Sequence, residues 1–362
     1  MPIFIVFSSS ELGGAERSLT RMALASPPGD FQLATLDGEG VWCDWVRSQG
    51  HKPLVFGERN KSQHGKIRLS AFVSLVSYLR NEDIQTVYIC GTRAAFWLRL
   101  FRPFVPQAKL VQGIRWNPDS NSSLDRFFRF IERRMNGQID MYITNSQIAA
   151  TTLVKRCGIP KKKVRVIYNG LAKMPTKILP LGRRPLNVLT VANFNPRKGY
   201  LEYLSAIEKV LQNIPDVNFT FIGRDDMNGK VQSAIRKKSL SKHVKCVGFQ
   251  ENISSWMKVA RLLVVPSLWG EGCPTSVLEA MSHGVPVAGY NLDGLPELVR
   301  HKQDGLLVPA ANTKLLAIAI IQLLTKTEVA NKMSASSLLR IKQEFQLNSC
   351  VLKHRDILNR LI

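Results

Sequence analysis

The chain has 362 residues, long enough for two hydrophobic cores, and an apolar fraction of 45% supplies the material for them. Fifty Lys and Arg against 27 Asp and Glu give a net charge of +23, which favours an anionic partner: nucleic acid, an acidic membrane surface or a phosphorylated small molecule. The excess is spread over both halves, with 26 basic and 13 acidic residues in 1–180 and 24 and 14 in 181–362, so a basic nucleic-acid-binding tail is excluded as its source.

Six scattered cysteines without a C-x-x-C pair, and no clustered histidines, argue against a zinc site or a disulfide framework. The opening "MPIFIVFSSSELGGAE" has no basic leader and only a six-residue apolar run, so it is expected to be a first strand and not a signal peptide. No apolar stretch approaches the roughly 20 residues that span a bilayer. The expectation is a soluble protein in a reducing, cytoplasmic setting.

In chain order, short apolar runs predict strands at 3–7, 32–36, 53–56, 86–90, 109–113, 141–144 and 164–168. Amphipathic stretches such as "KIRLSAFVSLVSYLRNE" (66–82) and "SQIAATTLVKRCG" separate them, the rhythm of a parallel sheet covered by helices. The rhythm breaks at "NGLAKMPTKILPLGRRP", with three prolines, and restarts with strands at 188–192, 218–222, 245–247, 262–266, 285–289 and 306–308. Helices are expected at 200–212, 253–259 and 275–283, and from 312 to the end. The predicted fold class is α/β, two doubly wound Rossmann-like domains facing a cleft, the place where such sheets bind ligands. The predicted division is an N-terminal domain (1–172), a linker (173–185), a C-terminal domain (186–345) and a last helix (346–362) that can pack back on the N-terminal domain.

Three loops follow strands and open helices. In "SSSELGGAERSL", Gly13 and Gly14 let backbone approach an anion at a helix N-terminus, although a tight turn alone also uses two glycines. In "VANFNPRKGY", Arg197 and Lys198 stand beside Gly199 at a helix start, where cations oppose the dipole by roughly 0.3–1 kcal/mol each. A bound diphosphate explains them; solvated charge is the plainer alternative. In "SLWGEGCPTSVLEAMSHGVP", Pro274 suits a first helical position and Gly284 with Pro286 ends the helix. At 100° per residue Val277, Leu278, Ala280 and Met281 share a buried face, with Thr275, Glu279 and His283 opposite. Taken alone, Glu279 fits a solvated position and Glu271 a partner for the helix dipole.

The pattern E-G-x-P-x-x-x-x-E-A-M-x-x-G-x-P-V, followed by "DGLPELVRHKQDGLLVP", resembles the retaining nucleotide-sugar glycosyltransferases of family 4, with their two-domain GT-B architecture. "GGAE" at 13–16, "VIYNGL" at 166–171, "ANFNPRKG" at 192–199 and "VGFQ" at 247–250 extend the resemblance over nearly the whole chain. It implies that Glu279 holds the ribose hydroxyls and that Glu271 meets the donor sugar. It further implies that Lys198 and the amides of Cys273, Thr275 and Ser276 hold the diphosphate, that Gly14 meets the same phosphates from the N-terminal domain, and that Phe249 flanks the base. Glu271 and Lys198 are thus the expected catalytic pair, with no metal and no cofactor beyond the donor substrate. The departing phosphate takes the acceptor proton in a front-face substitution, so no protein base is implied.

Two departures stand out. The family's "GRL" is "ANF" here, so Asn193 replaces a phosphate-binding arginine for which Arg197 is the candidate substitute. Where many members carry a histidine, "KLVQGIRWN" offers Gln112 and Arg115, the latter a candidate acceptor or phosphate contact.

Between Arg93 and Arg134, aromatic and basic residues alternate. In "LDRFFRFIERRM", Leu124, Phe127, Phe128, Ile131 and Met135 form one stripe, with Arg126, Arg129, Arg133 and Arg134 mostly elsewhere. Such a helix either faces a core or docks on an acidic membrane leaflet. No nucleic-acid module accompanies it. The resemblance therefore implies transfer of a hexose or N-acetylhexosamine from a nucleoside-diphosphate sugar, UDP ahead of GDP, to a lipid-linked or oligosaccharide acceptor at the inner face of the membrane, in bacterial surface-polysaccharide or lipopolysaccharide assembly. Another GT-B activity such as a nucleotide-sugar epimerase, or a catalytically silent nucleotide- or membrane-binding subunit, is the alternative.

Overall fold

The computed structural model describes residues 2–58, 68–172 and 174–361. Positions 66 and 67 of the predicted 66–82 helix, and position 173 of the predicted linker, lie outside the described residues. Two compact units result: Met1–Ala172 with Leu347–Ile362, and Lys173–Gln346.

The first unit holds seven parallel strands: β1 (Ile3–Phe7), β2 (Phe31–Thr35), β3 (Leu54–Val55), β4 (Thr86–Cys90), β5 (Lys109–Ile114), β6 (Met141–Thr144) and β7 (Val164–Val166), in the order β3-β2-β1-β4-β5-β6-β7. Every residue of β1, β4 and β6 is buried, as a sheet covered on both faces demands. The second unit repeats the plan with β8 (Asn187–Val191), β9 (Asn218–Ile222), β10 (Val244–Cys246), β11 (Leu262–Val265), β12 (Val287–Tyr290) and β13 (Gly305–Val308), in the order β10-β9-β8-β11-β12-β13. Each sheet reverses its direction of growth once, between β1 and β4 and between β8 and β11. Loops leaving the two central strands diverge there and open a crevice at the carboxyl edge.

Strand ends differ from the sequence expectation by one or two residues, the usual uncertainty of a fraying end. The helical tail is three helices, Thr313–Thr325, Thr327–Glu344 and Leu347–Asn359. The last belongs to the first unit: it packs on the helix Gly14–Leu24, buries Cys350, Val351, His354 and Leu358, and pairs Arg355 with Asp30 at 2.6 Å.

Candidate functional site

The crevice of the second unit lies between the loop after β8 and the loop after β11. Gly199 makes their approach possible. Its φ is +65°, and a Cβ there would stand 2.1 Å from the Pro266 carbonyl oxygen, so only glycine fits. The turn Pro196–Lys198 is thereby laid against the end of β11: Leu268 donates its N–H to the Arg197 carbonyl at 2.7 Å, and Arg197 Nη1 donates to the Gly270 carbonyl at 2.9 Å.

Lys198 and Glu271 meet in this crevice. The Lys198 ammonium donates to Glu271 Oε1, and the Ser267 hydroxyl donates to the same oxygen at 2.5 Å. Both charged side chains are largely buried, 13% and 7% exposed. Burial drives the Lys198 ammonium below its ordinary pKa, against the opposing pull of Glu271. Burial alone would raise the Glu271 carboxyl; the charges of Lys198 and Arg197, with the Lys198 and Ser267 hydrogen bonds, outweigh it and hold the group below the carboxylate range. A carboxylate is thus kept ionised beside two cations in a nearly dry pocket, which is costly unless the charges serve one another or a ligand.

The helix Thr275–Ser282 begins at Pro274 with no side-chain cap, so no side chain offsets its dipole there, an arrangement that suits an anion. Thr275, Ser276 and Glu279 are half-buried on one side, while Val277, Leu278, Ala280 and Met281 fill the core. Cys273, in the loop ahead of them, is buried. His283 departs from the expectation of a solvated face. It is buried, its Nδ1 donates to the Glu279 carbonyl at 2.8 Å, and Nε2 is therefore left to accept the Ser254 hydroxyl at 2.8 Å. A neighbouring helix, Ile253–Val259, covers that side.

Asn193 is held in the same edge. Its Oδ1 accepts the Arg224 N–H at 3.1 Å, while the Arg224 guanidinium pairs with Asp226. The loops after β9 and β10 are joined through Gly223 N–H and the Gly248 carbonyl at 3.0 Å, and Phe249 projects beyond them, 42% exposed.

At the carboxyl edge of the first unit, Gly13 precedes the helix Gly14–Leu24, and Arg115 follows β5. Arg115 Nη2 donates to Ser18 Oγ at 2.7 Å and to Asn169 Oδ1; its Nε and Nη1 are buried with no hydrogen-bond partner among the described residues. Gln112, the other residue this strand offers, does not join it. Strand alternation turns it to the opposite face, where its side-chain carbonyl accepts from Arg99 Nη2 at 2.6 Å in the core. Among the described residues no group of three or more His, Cys, Asp or Glu is gathered as for a metal ion.

The predicted stripe of the helix Ser123–Met135 is also corrected. The buried side is Asp125, Phe128 and Glu132, because Arg99 and the Tyr142 hydroxyl bind Glu132 at 2.6 Å and Trp116 Nε1 and the Ser120 N–H reach Asp125. Leu124, Phe127 and Phe130 are turned outward, each more than half exposed. Ring contacts run on from Phe127 to Phe96 and Trp97 and, through the fully buried Phe72, to Phe101 and exposed Phe104. Arg134 lies over the Phe130 ring at 5.5 Å and Arg126 is exposed, while Arg129 is occupied by the carbonyls of Pro118 and Ser120. No helix among the described residues is long and apolar enough to cross a membrane.

Two family models cover most of the chain, Glycosyltransferase Family 4 at residues 12–172 and Glycosyl transferases group 1 at 177–338. The protein belongs to these glycosyltransferases. Among curated relatives, it is 29% identical over 213 residues to the amylovoran biosynthesis glycosyltransferase AmsK of Erwinia amylovora, an alignment spanning 56% of this chain and 52% of that one. It is 28% identical over 310 residues to the UDP-Gal:alpha-D-GlcNAc-diphosphoundecaprenol alpha-1,3-galactosyltransferase of Escherichia coli, covering 80% and 79%. The solved structure of Anabaena Alr3699/HepE in complex with UDP and glucose superposes with a TM-score of 0.83 at 20% identity, covering 99% of each chain, and shows the GT-B fold.

Sequence reasoning missed Ser267 and Asp293. Asp293 Oδ2 accepts the N–H groups of Gly270 and Glu271 at 2.6 and 3.1 Å. The one available signal was the "DG" of "LDGLPEL", a turn signature that does not say which loop the turn will touch.

Proposed function

We propose that this glycosyltransferase moves a hexose or N-acetylhexosamine from a nucleoside diphosphate, UDP ahead of GDP, to a lipid-linked saccharide in bacterial surface-polysaccharide assembly, with retention at the anomeric carbon and without a metal. The observation that carries the reading is the buried Lys198–Glu271 pair, with Arg197 beside it, at the switch point of the second sheet. Each charge offsets the other's desolvation. A sugar diphosphate supplies what both would otherwise lack, hydroxyl donors for Glu271 and an anion for Lys198 and Arg197. The uncapped Thr275–Ser282 helix adds positive potential where the diphosphate gains charge as it leaves.

In this reading Glu279 binds the ribose, Phe249 flanks the base, and the amides from Cys273 to Ser276 hold the diphosphate. Arg197 takes the place of the arginine missing at Asn193, since Asn193 is bonded to the Arg224 backbone. The sugar C1–O bond to phosphate breaks while the acceptor oxygen bonds C1 on the same face, and the acceptor proton passes to the departing phosphate oxygen. Gly13, Gly14 and Arg115 are the proposed substrate contacts of the first unit, at its own carboxyl edge; Nε and Nη1 of Arg115, two buried nitrogens with no hydrogen-bond partner among the described residues, favour an anion. The named substrate of the Escherichia coli relative and the UDP and glucose of the HepE complex favour a UDP-hexose and a diphospholipid acceptor.

The outward aromatic surface, rimmed by Arg126, Arg133 and Arg134, supports peripheral attachment to an anionic membrane from the cytoplasmic side, because rings insert at the interface while arginines attract acidic headgroups. A panel of nucleotide sugars in thermal unfolding tests the donor. Selective stabilisation by one UDP-sugar is expected from mass action; stabilisation by none overturns the reading. Nucleotide binding with no transfer to any acceptor would instead support a silent subunit.

A further inference from the structure

We infer that Asp293 is a positioning residue for Glu271: its carboxylate fixes the loop that carries Glu271 to the turn that follows β12. The inference rests on the reading of Glu271 as the donor-sugar carboxylate. The segment Gly270-Glu271-Gly272 is flanked by glycines, and Gly270 has a φ of +78°, so its own backbone does little to confine the carboxylate. Confinement comes from outside. Asp293 Oδ2 accepts from both Gly270 and Glu271 N–H, and the Glu271 carbonyl accepts from the Gly294 N–H at 3.3 Å. Both ends of Glu271 are therefore tied to one turn. A Cβ on Gly294 would stand 1.8 Å from the Gly272 carbonyl oxygen, so turn and loop meet backbone to backbone. Asp293 itself has a φ of +50°, a left-handed conformation that Asp tolerates better than most residues.

Hydrogen bonds from two amides to one ionised oxygen are of the stronger, charge-assisted kind. They also engage the Gly270 and Glu271 amides, so a donor diphosphate must use those further along, toward the Thr275–Ser282 helix. The consequence is kinetic. Without the tie, the carboxylate remains paired with Lys198 part of the time but no longer holds one position relative to the sugar, and misplacement by about 1 Å can cost 100-fold in rate.

The test compares Asp293→Ala, Asp293→Asn and Glu271→Gln in the full chain, with UDP-glucose, UDP-galactose and UDP-N-acetylglucosamine as donors. UDP release is measured per folded molecule, and UDP binding separately. Asp293→Ala is expected to lower kcat about 10- to 100-fold, with KM for the donor and Kd for UDP within about twofold of wild type. Asp293→Asn restores most of the rate, since its side-chain oxygen accepts the same amides. A wild-type kcat in Asp293→Ala, whatever its Tm, overturns the inference, as does an equal loss in the Asn variant. Should the Ala variant not fold, Asp293→Glu keeps the charge, displaces the acceptor by one methylene and carries the same expected kcat loss; a wild-type kcat in it overturns the inference. A fully active Glu271→Gln removes the reading beneath the inference, whereas an inactive Glu271→Gln beside an active Asp293→Ala removes the inference alone.

Discussion

Lys198 and Glu271, 73 positions apart, form a buried ion pair at the point where β8 and β11 send their loops apart. Both charges are largely buried, so each depends on the other and fixes its position.

Removing one partner exposes that dependence. Lys198→Ala leaves the Glu271 carboxylate buried beside Ser267 without its ammonium. It should cost about 3–5 kcal/mol of stability in the second unit and abolish measurable UDP release. Lys198→Ala and Glu271→Ala combined should recover much of the stability and none of the turnover. A double variant no more stable than the single one would show that the pair is not the source of the loss. Thermal unfolding and UDP release check both.

The role proposed for Glu279 is binding rather than chemistry. Glu279→Ala should raise KM for the nucleotide sugar about 10- to 100-fold, the worth of hydrogen bonds to a charged group, with kcat within a few-fold. An unchanged KM would remove Glu279 from the ribose site.

The aromatic surface separates two attractions. Arg126→Ala with Arg134→Ala should weaken binding to phosphatidylserine vesicles about 30-fold at low salt, from about 1 kcal/mol for each charge, and the difference should shrink at high salt. Phe127→Ser with Phe130→Ser should weaken binding at every salt concentration, because both rings are more than half exposed. Vesicle sedimentation that responds to neither pair would mean this face does not touch the membrane.

His354 is buried where the last helix packs on the first unit, its ring 6.0 Å from that of Tyr88. Its Nδ1 donates to the Cys350 carbonyl of its own helix at 2.9 Å, and Nε2 is buried with no partner among the described residues. Burial lowers its pKa to about 4. The unfolded chain therefore binds a proton near the ordinary histidine value of about 6.5, whereas the folded one resists until about 4. The contribution to stability is full above the unfolded value and falls as pH drops through this window, by about 3 kcal/mol in all. Unfolding midpoints measured from pH 7 to 4 should fall less steeply in His354→Gln than in the wild type. Parallel curves would contradict this.

Much of the fold was legible because Gly and Pro punctuate it. The runs of β1, β4 and β6, apolar but for Thr86 and Thr144, read as covered strands, and Gly199 and Pro274 mark helix starts that the structure keeps. What the sequence hid depends on which element becomes a neighbour. The partner of Asp293 is set by β11 and β12 lying side by side, and the burial of His283 by the Ile253–Val259 helix. The Ser123–Met135 helix misled for a different reason. A hydrophobic stripe normally faces the core, but here the core offers Arg99 and Tyr142, so Glu132 goes inward and the phenylalanines at 127 and 130 go out.

The most direct test of the central claim is transfer itself, followed by NMR of the product. The protein is incubated with the UDP-sugar that stabilises it and a synthetic GlcNAc-diphospho-lipid, with Glu271→Gln in parallel. Sugar transferred from an α-linked UDP-sugar with its α configuration retained, insensitive to EDTA and lost in Glu271→Gln, is the predicted result. A β-linked product, or full transfer by Glu271→Gln, would contradict the account.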